Sequence, residues 1–478
     1  VYGLGIVLPR LLNYLLLTPF YTRVFERATY GIITELYAYI VFLQVVLTYG
    51  LETGYFRFAS GADRKEKVYT SLMASLLVTT LLFITGVMLF GDSLGSWIGY
   101  ASNPEYIRWL AVIVGIDAFT SLPFARIRLQ NRPGKYAAIR IIEVGVNIGL
   151  NLFFLYYCPR HSASGLVSLF YREEIGVGYV LISNLVASLA KLILLSKDIL
   201  AAFRSQIDWV ILKKVLRYSY PLLVAGLAGT VNEALDRVLL KHLIPDELMP
   251  MEQLGIYGAN FKMAVLMTLF VQMFKYAAEP FFFTKSTEKN AKELYADVMT
   301  FFVVAGLVIF LGVILFLDTF ILFIGINFRE GAGIVPVVLA ANLIMGIFFN
   351  LSIWYKLTNK TMIGAVLVIM GAAVTVTVNV AFIPRYGFVA SAWAHLLCYT
   401  LMTVVSYFWS KRHYDVPYKI SRILTYMALA LLLYLINRLF LQDVERFRNL
   451  WGFTMLAGFV VFVWGRERET FYKYRKVS

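Results

Sequence analysis

The chain has 478 residues, 60% of them hydrophobic and only 15% charged, with a mean hydropathy of +0.71. A water-soluble protein of that length needs far more polar cover, so the bilayer is its solvent. The net charge of +15 does not require a nucleic-acid partner, because Lys and Arg are retained in the cytoplasmic loops of membrane proteins.

A helix crossing the hydrocarbon core takes about 20 apolar residues. Fourteen such spans are predicted, at 3–22, 31–55, 68–90, 105–126, 136–157, 176–196, 217–242, 255–283, 295–317, 332–355, 361–384, 387–410, 421–440 and 448–465. Span one carries Arg10 after Pro9 and has no small-residue cleavage site, so it is expected to stay as a helix and not to be a signal peptide. Since the numbering opens at Val1, an initiating Met and a short leader are expected upstream.

Basic residues crowd into every second connection. They include Arg57, Arg64, Lys65 and Lys67; Arg126, Arg128, Arg132 and Lys135; Lys197, Arg204, Lys213 and Lys214; and, in the tail, Arg466, Arg468 and Lys476. By the positive-inside rule both termini are cytoplasmic. The thirteenth connection breaks the pattern with Arg438, Arg446 and Arg448, partly offset by Asp443 and Glu445.

Four parts are expected: a six-helix bundle over 1–196, a cytoplasmic amphipathic linker over 197–216, a second six-helix bundle over 217–410, and two further spans with a basic tail over 411–478. In the linker, Ile199, Leu200, Phe203, Ile207, Val210 and Ile211 recur near helical spacing among basic residues. That reads equally as an interfacial helix or as a linker skimming the headgroups.

Spans two and eight carry a faint repeat. Each opens on Gly and runs through aromatics to a glutamate followed by aromatics, Glu52 before Tyr55 and Phe56, and Glu279 before Phe281 and Phe282. An even number of spans per half makes the repeats parallel and predicts a substrate path between them.

Charge inside a membrane is costly and usually faces protein or a water-filled cavity. Span seven places Glu233, Asp236 and Arg237 three and four residues apart, on one helix face, with Asn232 beside them. This is either a polar cavity wall, with Arg237 for phosphate and the carboxylates for a coupling cation, or a structural salt bridge. Lys262 in span eight is a cavity cation, whereas Lys275 and Glu279 read as a snorkelling i,i+4 pair.

Arg10 is a phosphate ligand or a partner of Glu35 or Glu52. Asp117, mid-way along span four, either takes up a proton or Na⁺ or makes a helix-packing hydrogen bond. Lys191 is expected to snorkel. Asn350, Asn379 and His395 are expected to bond between helices.

Cys158 and Cys398 make neither a disulfide framework nor a metal spacing, and no nucleotide-binding or hydrolytic motif is present. The expectation is a non-enzyme without cofactor.

The runs "YGLGIVLPRLLNYLLLTPFYTRVF", "YGIITELYAYI", "YPLLVAGLAGTVNEALDRVLL" and "GIYGANFKMAVLM…AAEPFFF" resemble the polysaccharide transporter branch of the multidrug/oligosaccharidyl-lipid/polysaccharide exporter superfamily. The resemblance implies an all-α fold of two six-helix bundles in a V-shaped alternating-access arrangement, plus two C-terminal helices placed to hold a lipid tail. It implies a flippase for polyprenyl-pyrophosphate-linked oligosaccharides in the bacterial cytoplasmic membrane, with polysaccharide-assembly proteins and membrane lipids as partners.

A lipid II flippase and a drug/cation antiporter of the same superfamily are the alternatives. A membrane glycosyltransferase or polymerase fits less well, because the outward loops are short. Arg10, Arg237 and Lys262 are the candidate substrate ligands, and Asp117, Glu233 and Asp236 the candidates for ion coupling.

Overall fold

The computed structural model describes residues 2–59, 65–162, 165, 167–440 and 448–475. Arg64, Asp443, Glu445, Arg446 and Lys476 lie outside the described residues. Each of the fourteen apolar runs coincides with a helix: α1 (2–24), α2 (Arg27–Ala59), α3 (Lys65–Ile98), α4 (Pro104–Leu129), α5 (Pro133–Arg160), α6 (Gly178–Leu194), α7 (Trp209–Leu243), α8 (Pro250–Lys285), α9 (Ala291–Ile314), α10 (Ile326–Leu357), α11 (Thr361–Tyr386), α12 (Phe388–His413), α13 (Ile420–Phe440) and α14 (Arg448–Arg475).

Ten of these are long and apolar enough to cross a membrane, or eleven when α6 is joined to the bent segment after it. Fourteen is therefore an approximate count. Helix α7 falls short because Lys213, Lys214, Arg217, Glu233, Asp236, Arg237 and Lys241 interrupt its apolar character. This is an all-α multi-pass membrane protein.

Helix starts follow local chemistry. Pro104 and Pro133 open α4 and α5, where the missing N–H is not needed. Asp208 caps α7, its carboxylate accepting from the Val210 and Ile211 N–H groups at 3.0 Å. Large apolar side chains on α3, such as Leu82, Leu89, Phe90 and Trp97, stay exposed, which suits lipid contact and not water.

The chain divides into two compact units, Val1–Gly255 and Ile256–Ser478, so compactness breaks after α7 and not before it. In the first unit α3 packs on α4, α5 on α1 and α6, and α7 along α2. In the second, α12 packs on α10 and α11, while α9 packs on α10, α13 and α14.

The linker differs from the expectation. Only Ser196–Arg204 is helical, bent 55° from α6, and α7 already begins at Trp209. It is also pinned: Asp198 takes Lys135 Nζ at 2.5 Å, its carbonyl accepts from Tyr69 Oη at 2.9 Å, and the Asp208 N–H donates to Ser71 Oγ at 2.8 Å. A segment held by α3 and α5 is not a loose linker, although Leu200, Phe203, Trp209 and Val210 remain exposed.

Two close approaches depend on glycine. Gly50 has φ +73° at the break in α2, and a Cβ there would lie 3.2 Å from the Ser219 carbonyl oxygen of α7. Gly31 and the Gly255 turn cross without side chains between them, so a Cβ on Gly255 would fall 2.0 Å from the Arg27 carbonyl oxygen.

Backbone cannot yield as a side chain can. Gly255→Ala is therefore expected to lower the thermal unfolding midpoint in detergent, at a cost of at least about 1–3 kcal/mol. Gly149→Ala, where nothing lies within 4 Å, should leave the midpoint unchanged or raised.

Candidate functional site

The sequence repeat has a structural counterpart at the end of each unit where the basic connections cluster. Glu52 of α2 pairs with Arg128 at the end of α4, and Arg128 also lies 4.9 Å over the Phe56 ring. Glu279 of α8 takes Lys356 at the end of α10 at 2.8 Å. Each glutamate thus receives its cation from the span two further along the chain. Lys275, one turn before Glu279 on α8, lies 4.5 Å from the Phe349 ring centre.

Deeper in the first unit the membrane charges form one chain of contacts. Lys191 is only 1% exposed, which overturns the expectation of snorkelling. Its Nζ lies 2.5 Å from Asp117 Oδ1 of α4 and 2.7 Å from Glu143 Oε1 of α5. Glu143 Oε2 holds Arg140 Nη1 at 2.9 Å, and Ser188 Oγ donates to Asp117 at 2.8 Å. Two carboxylates are shared between two cations, which is how a low-dielectric interior tolerates charge.

Arg140 and Glu143 were not singled out from the sequence. Their signal was present, as two opposite charges three residues apart inside an apolar run.

This chain forms one wall of a polar pocket of about 260 Å³. Arg10 reaches the same pocket from α1, Tyr37 from α2, Tyr136, Arg140, Glu143 and Asn147 from α5, and Asn184 from α6. Asn184 Nδ2 donates to Tyr37 Oη at 3.2 Å, which fixes part of the wall. The structure therefore brings Arg10 and the Asp117 network to one locality. The charged chain Asp117, Lys191, Glu143 and Arg140 balances itself, and Arg10 adds a positive charge.

The two glutamates anticipated as partners of Arg10 each hold another cation. Glu52 is held by Arg128, and fully buried Glu35 accepts Lys241 Nζ at 3.0 Å, Tyr100 Oη at 2.5 Å and Tyr39 Oη at 2.9 Å. Lys241 also donates to the Ile98 carbonyl at 2.7 Å and lies 4.2 Å over the Tyr100 ring. This cluster ties α2, the end of α3 and α7 together.

The other candidates lie elsewhere. On α7, Glu233 is exposed and Asp236 fully buried, and Arg237 Nη1 donates to the Glu233 carbonyl at 2.9 Å. Lys262 sits in a 3₁₀ turn inside α8, in the second unit. Asn379 does bond between helices, accepting from Ser391 Oγ at 2.8 Å, and buried His395 packs against Phe261 and Tyr399. Neither amide atom of Asn350 has a hydrogen-bond partner among the described residues, contrary to expectation. Both cysteines are buried and free.

Comparison with solved structures places the architecture. Over 97% of this chain and 99% of the other, the fold is similar to lipid II flippase MurJ, with TM-score 0.74 and 13% identity. It is similar to a multidrug resistance MATE family transporter of the MOP superfamily over 86% and 94% of the two chains, with TM-score 0.66 and 14% identity. A Vibrio cholerae MATE transporter, VcmN, aligns over 87% and 96%, with TM-score 0.59 and 12% identity. At these identities the likeness speaks for the fold alone.

No curated protein sequence matches the chain. The family described as "Polysaccharide biosynthesis protein" matches residues 1–285, which is more than half of the sequence. The chain accordingly belongs to the polysaccharide biosynthesis protein family.

Proposed function

We propose that this protein is a flippase that carries a polyprenyl-pyrophosphate-linked oligosaccharide across the bacterial cytoplasmic membrane for cell-surface polysaccharide assembly, by alternating access and with both termini cytoplasmic. The observation that carries the reading is the polar pocket among α1, α2, α5 and α6, where Arg10 and Arg140 converge with amide and phenol groups. A pyrophosphate loses its hydration when it enters hydrocarbon, and charge-assisted hydrogen bonds from guanidinium groups replace it. Asparagine and tyrosine on the same wall suit sugar hydroxyls.

Arg140 is already held by Glu143, and Glu143 by Lys191. An arriving phosphate that draws Arg140 away leaves Glu143 to Lys191 alone, and a proton or Na⁺ then competes for Glu143 and Asp117. Asp117 is thus proposed to couple ions through the lysine it shares. Arg237, Lys262, Glu233 and Asp236 lie outside this pocket, and we carry them as separate charged positions of the transport path.

The same chemistry would serve lipid II, whose junction is also a polyprenyl pyrophosphate. The test is translocation of labelled lipid-linked sugar in vesicles containing only the purified protein. Transfer of the oligosaccharide-linked lipid above protein-free vesicles supports the proposal. Transfer of lipid II alone assigns the peptidoglycan precursor instead, and transfer of neither, in vesicles where the protein is folded, overturns both.

A further inference from the structure

Two kinds of polar group line the pocket of the first unit, and they stand at different levels along its helices. On α5, Asn147 follows Arg140 by seven residues, about 10 Å along the axis, and on α6 Asn184 precedes Lys191 by seven. Glu143 accepts from Arg140 at 2.9 Å and from Lys191 at 2.7 Å, which sets those two cations at one level. Consecutive spans run in opposite senses, so both asparagines lie on the same side of the charges. On α1, which runs with α5, Asn13 likewise follows Arg10 by one turn. The pocket therefore has a guanidinium end and an amide end.

Hydrogen bonding fixes which way one of these amides faces. Asn151 is fully buried, and its side-chain amide places an atom 2.8 Å from the Asn147 main-chain carbonyl oxygen. A carbonyl oxygen only accepts, so that atom is Nδ2. The same nitrogen lies 3.0 Å from the side chain of Asn147, which must turn its own Oδ1 toward it. Tyr21 Oη of α1 completes the chain by donating to Asn151 Oδ1 at 2.8 Å.

Asn147 is left with its Nδ2 for the pocket, and that group has no hydrogen-bond partner among the described residues. Packing of α1 on α5 does not explain it, because Tyr21 and the Asn147 main-chain carbonyl satisfy Asn151 without the Asn147 side chain. Asn147 is 8% exposed, and a donor that is nearly buried and unused is unfavourable, so it is expected to meet an acceptor.

Resting on the flippase reading above, we propose that the pocket takes its substrate in one orientation. The pyrophosphate lies at the guanidinium end and the sugar bonded directly to it lies at the amide end, where Asn147 Nδ2 donates to an oxygen of that sugar. An anion is drawn to Arg10 and Arg140, whereas a neutral ring gains from amides and not from charge. The ~10 Å between the two levels is about the length of a pyrophosphate and one pyranose ring together. A volume of about 260 Å³ has no room for a longer glycan, so the pocket reads only the first sugar, a hexose that offers an acceptor oxygen. With both termini cytoplasmic the amide end faces outward, and the sugar precedes the phosphates across the membrane. Asn147 is the specificity-determining residue, and Asn151 is a positioning residue that acts through it.

The experiment is isothermal titration calorimetry of the full chain in detergent with two soluble probes, farnesyl pyrophosphate and farnesyl-pyrophosphate-linked glucose. The glucose probe is expected to bind about tenfold more tightly, a ratio equivalent to ~1.4 kcal/mol. Asn147→Leu should bring the ratio to about one by weakening the glucose probe alone, since the lost bond is one the sugar-free probe never makes. Asn151→Leu, which frees the Asn147 amide to turn, should do the same, while Arg140→Gln should weaken both probes. A merely structural role for Asn151 would weaken the two probes together.

Asn147→Leu keeps the main-chain carbonyl that holds Asn151, so the fold is expected to survive. If it does not, Asn147→Ala is read in the same way. Equal binding of the two probes by the unsubstituted protein, or a ratio unchanged in the Asn147 variant, overturns the two-level pocket alone and leaves the Asn147 donor to water. Binding of neither probe overturns the pyrophosphate reading of the pocket and this inference with it.

Discussion

Replacing Lys191 with methionine is expected to cost about 3–5 kcal/mol of stability, the range for removing one partner of a buried ion pair. The side chain is 1% exposed and stands between two carboxylates, so its loss leaves Asp117 and Glu143 facing each other across α4, α5 and α6 with only Arg140 to balance them. Methionine fills most of the volume, which separates the electrostatic effect from a cavity effect.

A large fall in the thermal unfolding midpoint in detergent is the expected result, with membrane insertion retained. The double variant Lys191→Met with Asp117→Asn removes one of the stranded charges and should recover a good part of the loss. An unchanged midpoint in Lys191→Met would mean that the chain of contacts through α4, α5 and α6 carries no stability.

The contrast between Lys191 and the apolar spans shows what a single sequence exposes. Where a run of about 20 apolar residues must be a helix, because unpaired backbone in lipid is prohibitively costly, the order of residues suffices, and every predicted run is helical.

Partners were not legible in this way. Lys191 lies three residues before the end of α6, where an isolated helix would let it snorkel, and only the packing of α4 and α5 turns it inward. Glu467 tells the same story at the other end of the chain. It falls beyond the last apolar run, in what reads as a solvated tail, yet α14 continues through it and it is fully buried against Arg422 and Tyr426 of α13.

The pairing of Glu52 with Arg128 and Glu279 with Lys356 lies between these cases. The glutamates were visible as a repeat, while their cations became evident only when the spans were set side by side.

Arg140→Gln is expected to reduce flipping of lipid-linked oligosaccharide about tenfold to a hundredfold, the loss of one hydrogen-bonded contact to a charged group, worth ~1.5–3 kcal/mol. Arg10→Gln should act in the same direction. The two substitutions differ in what they leave behind: without Arg140, the Glu143 carboxylate loses the guanidinium that holds it at 2.9 Å and presents negative charge to the pocket where phosphate is to bind. Arg140→Gln should therefore be the more severe.

Charge, and not the guanidinium as a packing element, is the proposed cause, so Arg140→Gln combined with Glu143→Gln returns the pocket to its original net charge and should recover flipping in part. Initial rates in vesicles across a range of substrate densities check this, with unfolding midpoints as control. The single variants are expected to need more substrate for half-maximal rate. Rates that follow the midpoints and not the charge, with the double variant no better than Arg140→Gln alone, would show that these side chains hold helices together and do not hold substrate.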